Sequence, residues 1–194
     1  MNNLIETFPG QPWSRILENA LTDDGTIVDV GCLHWDWGQT LVGKKRIIGI
    51  DPIEKSVPEG CELYSGVLGP SNGKTYMDVN IDASNIMGNT DIQSLSIVEI
   101  EMLSWKTFCS NYNIENVSVL KLNIEGSEYP LLHSMDSEDF SKINQIAVSF
   151  HDWMNPKWKN LTKSSLQLLY SSGFDVINIF PIYGWYLAFR PYTI

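Results

Sequence analysis

Positive charge is scarce in this chain: 13 lysines and arginines face 23 aspartates and glutamates, a net charge of -10 over 194 residues. Binding along a phosphate backbone or an anionic bilayer needs a basic surface, so neither nucleic acid nor a membrane is an expected partner. Long apolar runs are missing as well. No stretch reaches the roughly 18 consecutive apolar residues of a membrane-spanning helix. The opening MNNLIETFPGQPW has neither a basic start nor an apolar core, so no export signal is read there. Cysteine is limited to Cys32, Cys61 and Cys109, an odd number at wide spacing, which argues against a disulfide framework and against a structural zinc site. A cytoplasmic location and no metal are the expectations. Internal repeats and low-complexity tracts are absent too, so a solenoid is not supported.

What is present is a globular composition, 43% hydrophobic and 19% charged, at a length that fits one domain over residues 1–194. Apolar residues at 13, 16, 17, 20 and 21 predict a helix over residues 13–21, within a helical lead-in spanning residues 1–24. Residues 26–30 (TIVDV) and 46–50 (RIIGI) are short, nearly continuous apolar runs of the kind that buried parallel strands show. Residues 63–68 form a third run. The turn signal GPSNG follows, and residues 74–79 are expected to pair back as a hairpin strand. With a polar loop at 80–90, this makes a hairpin and loop insertion over residues 69–92.

Further along, residues 97–102 alternate like a half-exposed strand, and 103–112 read as a helix with Ser104 as N-cap. Residues 117–124 and 143–150 read as core strands, and 128–135 and 161–170 as helices. The last two runs, 175–180 and 185–189, are joined by Pro181-Ile182-Tyr183-Gly184. That link is too short for a crossover helix, so the two should be antiparallel neighbours. The fold class is α/β: a mostly parallel sheet with one antiparallel strand near the C-terminus and helices on both faces.

Sheets of this kind bind ligands at the carboxyl ends of their strands. Four predicted strands end in acidic or polar groups: Asp29, Asp51, Asn123 with Glu125, and His151 with Asp152. Asp29-Val30-Gly31 couples an acid to a glycine that lets the backbone approach a ligand. Asp51 follows Gly31 by about 20 residues, the spacing at which a strand-end carboxylate takes ribose hydroxyls. The G-x-G-x-x-G fingerprint of dinucleotide sites is missing, with Leu33 and Trp35 in that loop.

Asp29-Val30-Gly31, the strand ending in Asp51 and the closing antiparallel strand look like a class I S-adenosylmethionine-dependent methyltransferase. More specifically, IVEIEMLSWKTFCSNYNIENVSVLKLNIEGSEYPLL resembles the FkbM-type methyltransferase domain. That family's strand end, lysine-x-aspartate-x-glutamate-glycine-x-glutamate, is met here by Lys121-Leu122-Asn123-Ile124-Glu125-Gly126-Ser127-Glu128. AVSFHDW is similar to the family's fifth strand. Two differences stand out. Asn123 replaces the usual aspartate, and Cys32-Leu33-His34-Trp35-Asp36-Trp37-Gly38 replaces a loop that usually holds an asparagine and a second glycine.

The resemblance implies a Rossmann-like class I methyltransferase sheet with S-adenosyl-L-methionine as cofactor. Asp29 and Gly31, with Cys32 beside them, would border its methionine part. Asp51, with Pro52, would hold its ribose, and Val67 would lie by its adenine. Transfer to an acceptor hydroxyl calls for a base within hydrogen-bond reach, and Glu125, His151 and Asp152 are the candidates. Each also has a plainer reading: His151 as a hydrogen-bonded structural group, Asp152 as a turn cap, Glu125 as a loop orienter. Trp35, Trp37, Trp153 and Trp158 flank the two rim segments, either as core or as pocket walls.

The leading expectation is O-methylation of a small-molecule acceptor, such as a sugar or secondary metabolite. The alternatives are a non-catalytic cofactor-binding or scaffold protein on the same fold, and a nicotinamide-dependent oxidoreductase sharing the ribose-binding aspartate. No oligomeric state is assigned. Residues 59–140 hold 13 acids and 3 bases, while residues 141–194 hold 2 acids and 5 bases. Lys157, Lys159 and Lys163 are thus expected near the acceptor side, where a small anionic acceptor stays admissible.

Overall fold

Short apolar, β-branched runs build the centre of the molecule. The computed structural model describes residues 3–54, 56–78 and 97–191, so the polar loop at 80–90 lies outside the described residues. In chain order the elements are β1 (Leu4–Glu6), β2 (Arg15–Leu17), β3 (Thr26–Val30), β4 (Ile47–Ile50), β5 (Cys61–Tyr64), β6 (Val67–Gly69), β7 (Gly73–Asp78) and β8 (Ile97–Ser104). They continue as α1 (Trp105–Asn111), β9 (Val117–Leu122), α2 (Glu128–Ser134), α3 (Ser137–Ser141), β10 (Ile143–Ser149), α4 (Lys159–Ser171), β11 (Asp175–Phe180) and β12 (Trp185–Phe189).

The main sheet runs in the order β11-β12-β10-β9-β3-β4-β5. β3 pairs in parallel with β4 (Ile27 with Ile47) and with β9 (Val28 with Leu120), and β9 pairs in parallel with β10. β12 alone runs against its neighbours, inserted between β10 and β11. This is the expected mostly parallel sheet with one antiparallel strand near the C-terminus. After β3 the chain builds outward through β4 and β5, then returns to lay β9 on the other side of β3. A crevice therefore opens at the carboxyl ends of β3 and β9.

Side-chain alternation splits the core in two. Val28, Ile48, Leu120 and Val148 face one side, where they pack with Phe108 of α1, Leu131 of α2, Phe140 of α3 and Leu169 of α4. Ile27, Ile47, Val119 and Ala147 face the other, where Ile16, Leu17, Ala20, Trp35, Trp37 and Leu41 cover them. That second cover contains strands and 3₁₀ turns but no α-helix among the described residues, which corrects the expectation of helices on both faces. The cause is local: the link from β3 to β4 carries two core tryptophans and three glycines, not an amphipathic helical repeat.

The helix expected over 13–21 is likewise replaced. β2 pairs with β1, flanked by 3₁₀ turns at Pro12–Ser14 and Glu18–Ala20. The wholly buried Gln145 explains why. Its amide takes the Leu17 N–H at 2.9 Å and donates to the Leu17 carbonyl at 3.0 Å, so tertiary pairing overrides helical spacing. The hairpin is also rearranged. β8 lies between β6, in parallel, and β7, antiparallel, in a separate small sheet. Residues 63–68 break at Ser65-Gly66, where the Gly66 N–H turns back on the Tyr64 carbonyl, so the run feeds two sheets. The helix starts fared better: the Ser104 hydroxyl accepts the Thr107 N–H at 3.3 Å and caps α1.

Candidate active site

The crevice at the carboxyl ends of β3, β4 and β9 is a cleft enclosing about 870 Å³ of empty space, part of it open to solvent. Gly31, Asp51, Asn123 and Glu125 contribute its polar rim, and Val67, Leu68 and Met77 of the small sheet make an apolar wall. Two carboxylates line it, and no described lysine or arginine does. A cleft of this size, with an apolar wall and a few convergent polar groups, is an ordinary small-ligand site. Its charge favours a cationic guest.

Backbone geometry shapes the rim. Gly31 sits at φ +76°, and a side chain there would collide with the Asn123 carbonyl 2.1 Å from where its Cβ would stand. Glycine is therefore required where β3 passes β9. Beneath it, the buried Lys121 ammonium lies 2.7 Å from Asp29 Oδ1 and donates to the Gly31 carbonyl at 2.6 Å. Asp29 is thus tied up under the floor and is not among the residues lining the cleft. Asp51 Oδ1 accepts the N–H groups of Ile53 (2.8 Å) and Glu54 (3.0 Å), which fixes the carboxylate at the strand end. Oδ2 takes part in neither bond.

The first loop has an unusual backbone. His34 and Trp35 both adopt positive φ, 64° and 57°, a region that bulky residues rarely enter. The Trp35 indole is held in place by its N–H to the Ser56 carbonyl at 2.8 Å, and it packs on Gly49, where a Cβ would stand 2.4 Å from the ring. His34 N–H donates to Glu54 at 2.8 Å. Trp35 thus takes the left-handed conformation that a glycine ordinarily supplies, with burial and hydrogen bonds holding it there. Cys32 is buried under this loop, and its burial, with the Asp29 charge nearby, pushes the thiol well up, so it is an inert core group.

Past β9, Glu125 also has positive φ, 55°, which turns its side chain to the cleft. Behind it stand two buried ionisable groups, His151 and Glu128. His151, 2% exposed, meets Glu128 through Nδ1 at 3.0 Å and Glu125 through Nε2 at 3.4 Å. Glu128, wholly buried, also accepts the N–H groups of His151 (3.2 Å) and Gly126 (2.9 Å). Burial by itself depresses the imidazole, but hydrogen bonds to Glu125 and Glu128 outweigh it and push His151 up to about 9. The ring is an imidazolium at neutral pH and cannot take a proton there.

The cleft therefore gathers Gly31, Asp51, Pro52, Val67 and Glu125, whereas Asp29, Cys32, His151 and Asp152 stand behind or beside it. Asp152 is half-buried on the 3₁₀ turn after β10. Trp35 and Trp37 are core, Trp158 packs on Tyr129, and Trp153 is exposed. Sequence reasoning passed over Glu128, Lys121 and Ser127. Glu128 had a signal, since it closes the E-G-S-E step at a strand end facing the predicted His151 strand. Ser127 had none: it lines the cleft, its hydroxyl buried and without a hydrogen-bond partner among the described residues.

A switched α/β sheet with its last strand antiparallel and an acidic cleft at the strand ends defines a methyltransferase-type domain. The match extends to sequence: the methyltransferase FkbM domain fits residues 5–176, and the chain belongs to that family. The crystal structure of methyltransferase FkbM from Methylobacillus flagellatus KT superposes with a TM-score of 0.54 at 15% identity, covering 93% of this chain and 48% of that one. The likeness is one of fold, and this chain spans about half of that protein's length. No curated protein matches it.

Proposed function

We infer that this domain is an S-adenosylmethionine-dependent methyltransferase that methylates an oxygen of a small-molecule acceptor. The observation that carries the reading is the charge of the cleft: Asp51 and Glu125 line it with no described cation beside them. A sulfonium cofactor is complementary to that field. A nicotinamide dinucleotide is not, because its pyrophosphate would meet two carboxylates and no glycine fingerprint. The site also fits the cofactor in detail. Asp51 stands ready for ribose hydroxyls, Gly31 brings bare backbone to the cleft wall, the buried Ser127 hydroxyl has no partner among the described residues, and Val67 and Met77 offer an apolar seat for a base.

When bound, the cofactor supplies a methyl group already made electrophilic by its sulfonium. The protein is left with positioning and with the acceptor's proton. Glu125 is the carboxylate at the cleft that takes that proton. His151, locked as an imidazolium, is a positioning residue that fixes the Glu125 rotamer, and Glu128 holds His151.

A non-catalytic cofactor-binding protein on this fold is the second reading, favoured by the charged state of His151 and by Asn123. Incubation with methyl-labelled S-adenosylmethionine and a panel of hydroxylated acceptors separates the two. Label transfer that Glu125→Gln removes supports the enzyme; saturable cofactor binding with no transfer to any acceptor supports the binding protein.

A further inference from the structure

Next to the cleft, and sharing Asn123 with it, lies a groove of about 530 Å³ lined by Gln11, Trp13, Phe180, Tyr183 and Trp185. No described carboxylate, lysine or arginine lines it. Its walls come from opposite ends of the chain. Trp13 belongs to the 3₁₀ turn before β2, and its indole lies against Trp185 of β12, tilted by 30° with ring centres 5.3 Å apart. Tyr183 sits on the 3₁₀ turn between β11 and β12, 48% exposed, with Phe180 against one side at 5.6 Å and Trp153 against another at 5.5 Å. The Ser149 hydroxyl pins that turn by donating to the Tyr183 carbonyl at 3.0 Å.

Two amides add direction to this aromatic surface. Gln11 Oε1 accepts the Trp13 indole N–H at 2.8 Å, which holds both side chains in register. The Gln11 amide nitrogen and the whole Asn123 side-chain amide bond to nothing among the described residues, although both residues line the groove. Aromatic faces beside unpartnered planar amides, without charge, suit one chemistry: a neutral ring whose C–H faces lie on the aromatics and whose neighbouring hydroxyls meet the amides. A charged acceptor would be desolvated there with no counter-ion. The expected lysines do not supply one, because Lys157, Lys159 and Lys163 are exposed and line neither space.

We propose that this groove is the acceptor site and that it takes a neutral glycoside, a saturated ring bearing vicinal hydroxyls, with Asn123 at the junction holding a ring hydroxyl toward the cleft. The proposal rests on the methyltransferase reading for the identity of the second substrate, but binding in the groove requires no cofactor. In a transfer, the glycoside oxygen gains the methyl as its O–H bond breaks, the proton passes to Glu125, and the C–S bond pair stays on sulfur.

Saturation-transfer NMR of the cofactor-free protein tests it with methyl α-D-glucopyranoside and methyl α-D-mannopyranoside at millimolar concentration, against glucuronate, glucose 6-phosphate and a simple phenol. The expected result is saturation transfer to the neutral glycosides, weakened about tenfold by Trp13→Ala and by the exposed Tyr183→Ala, and kept in Asp51→Ala. In turnover assays the same two groove variants should raise acceptor KM about tenfold and leave the Kd for S-adenosylhomocysteine unchanged. Absence of saturation transfer to any neutral glycoside, equal signals in wild type and both groove variants, or preference for the anionic sugars or the phenol overturns the proposal. Loss of S-adenosylhomocysteine binding in wild type, with glycoside binding intact, overturns the methyltransferase reading instead and leaves the groove standing.

Discussion

The cleft and the groove meet at Asn123, yet they are built by opposite means. The cleft is made at strand ends, from backbone turned into positive φ at Gly31 and Glu125 and from carboxylates. The groove is made chiefly by uncharged aromatic side chains, Trp13 from a 3₁₀ turn near the start of the chain and Phe180, Tyr183 and Trp185 from the β11–β12 hairpin. The difference separates two tasks. On the reading proposed above, charge selects a cationic cofactor on one side of Asn123, and shape with amide hydrogen bonding selects a neutral acceptor on the other. Charge variants should therefore disturb the first and spare the second.

The largest expected effect comes from Glu125→Gln, which removes the proton acceptor without changing shape. Turnover should fall by about 100- to 10,000-fold, with cofactor affinity little altered, as read by labelled methyl transfer and calorimetry. Lys121→Met attacks the cleft from beneath by stranding Asp29 in the interior. About 3–5 kcal/mol of stability should be lost in urea denaturation, and Asp29→Asn added to it should recover part of that loss. Asp51→Ala should weaken S-adenosylhomocysteine about 100-fold in calorimetric titration, because charged hydrogen bonds to the ribose are lost. Equal weakening of glycoside binding by Asp51→Ala would erase the division of labour.

The smallest effect concerns pH. The folded-state pKa of His151 is raised, from 6.5 to about 9, so its pairing with Glu125 and Glu128 stabilises the fold fully below the lower value. That contribution is lost as pH rises through about 9. Thermal melts of wild type against His151→Gln should show a gap that narrows between those two values. A gap that widens with pH would mean that the ring is neutral in the fold.

Much of the cleft was legible before any coordinates. Gly31, Asp51, Pro52, Val67 and Glu125 follow strands whose β-branched runs are local signals, and all five line it. Asp29 points under the floor, because neighbouring residues on a strand face opposite sides, and Cys32, two residues past β3, is buried beneath the first loop. The charge state of His151 was not legible, since it depends on Glu128, which arrives from a different element. Nor was the groove. Trp13 lies 172 positions before Trp185, and the segment that holds Trp13 looked helical until Gln145 captured the Leu17 backbone. The missing second helical layer has the same origin, in tertiary pairing and in two buried tryptophans.

Parallel calorimetric titrations of the wild-type protein with S-adenosylhomocysteine and with NAD test the central claim, that the cleft is built for an S-adenosyl cofactor and not for a dinucleotide. Saturable one-site binding of S-adenosylhomocysteine, abolished or weakened about 100-fold by Asp51→Ala, with no heat from NAD, is the predicted result. Saturable NAD binding with no response to S-adenosylhomocysteine would contradict it.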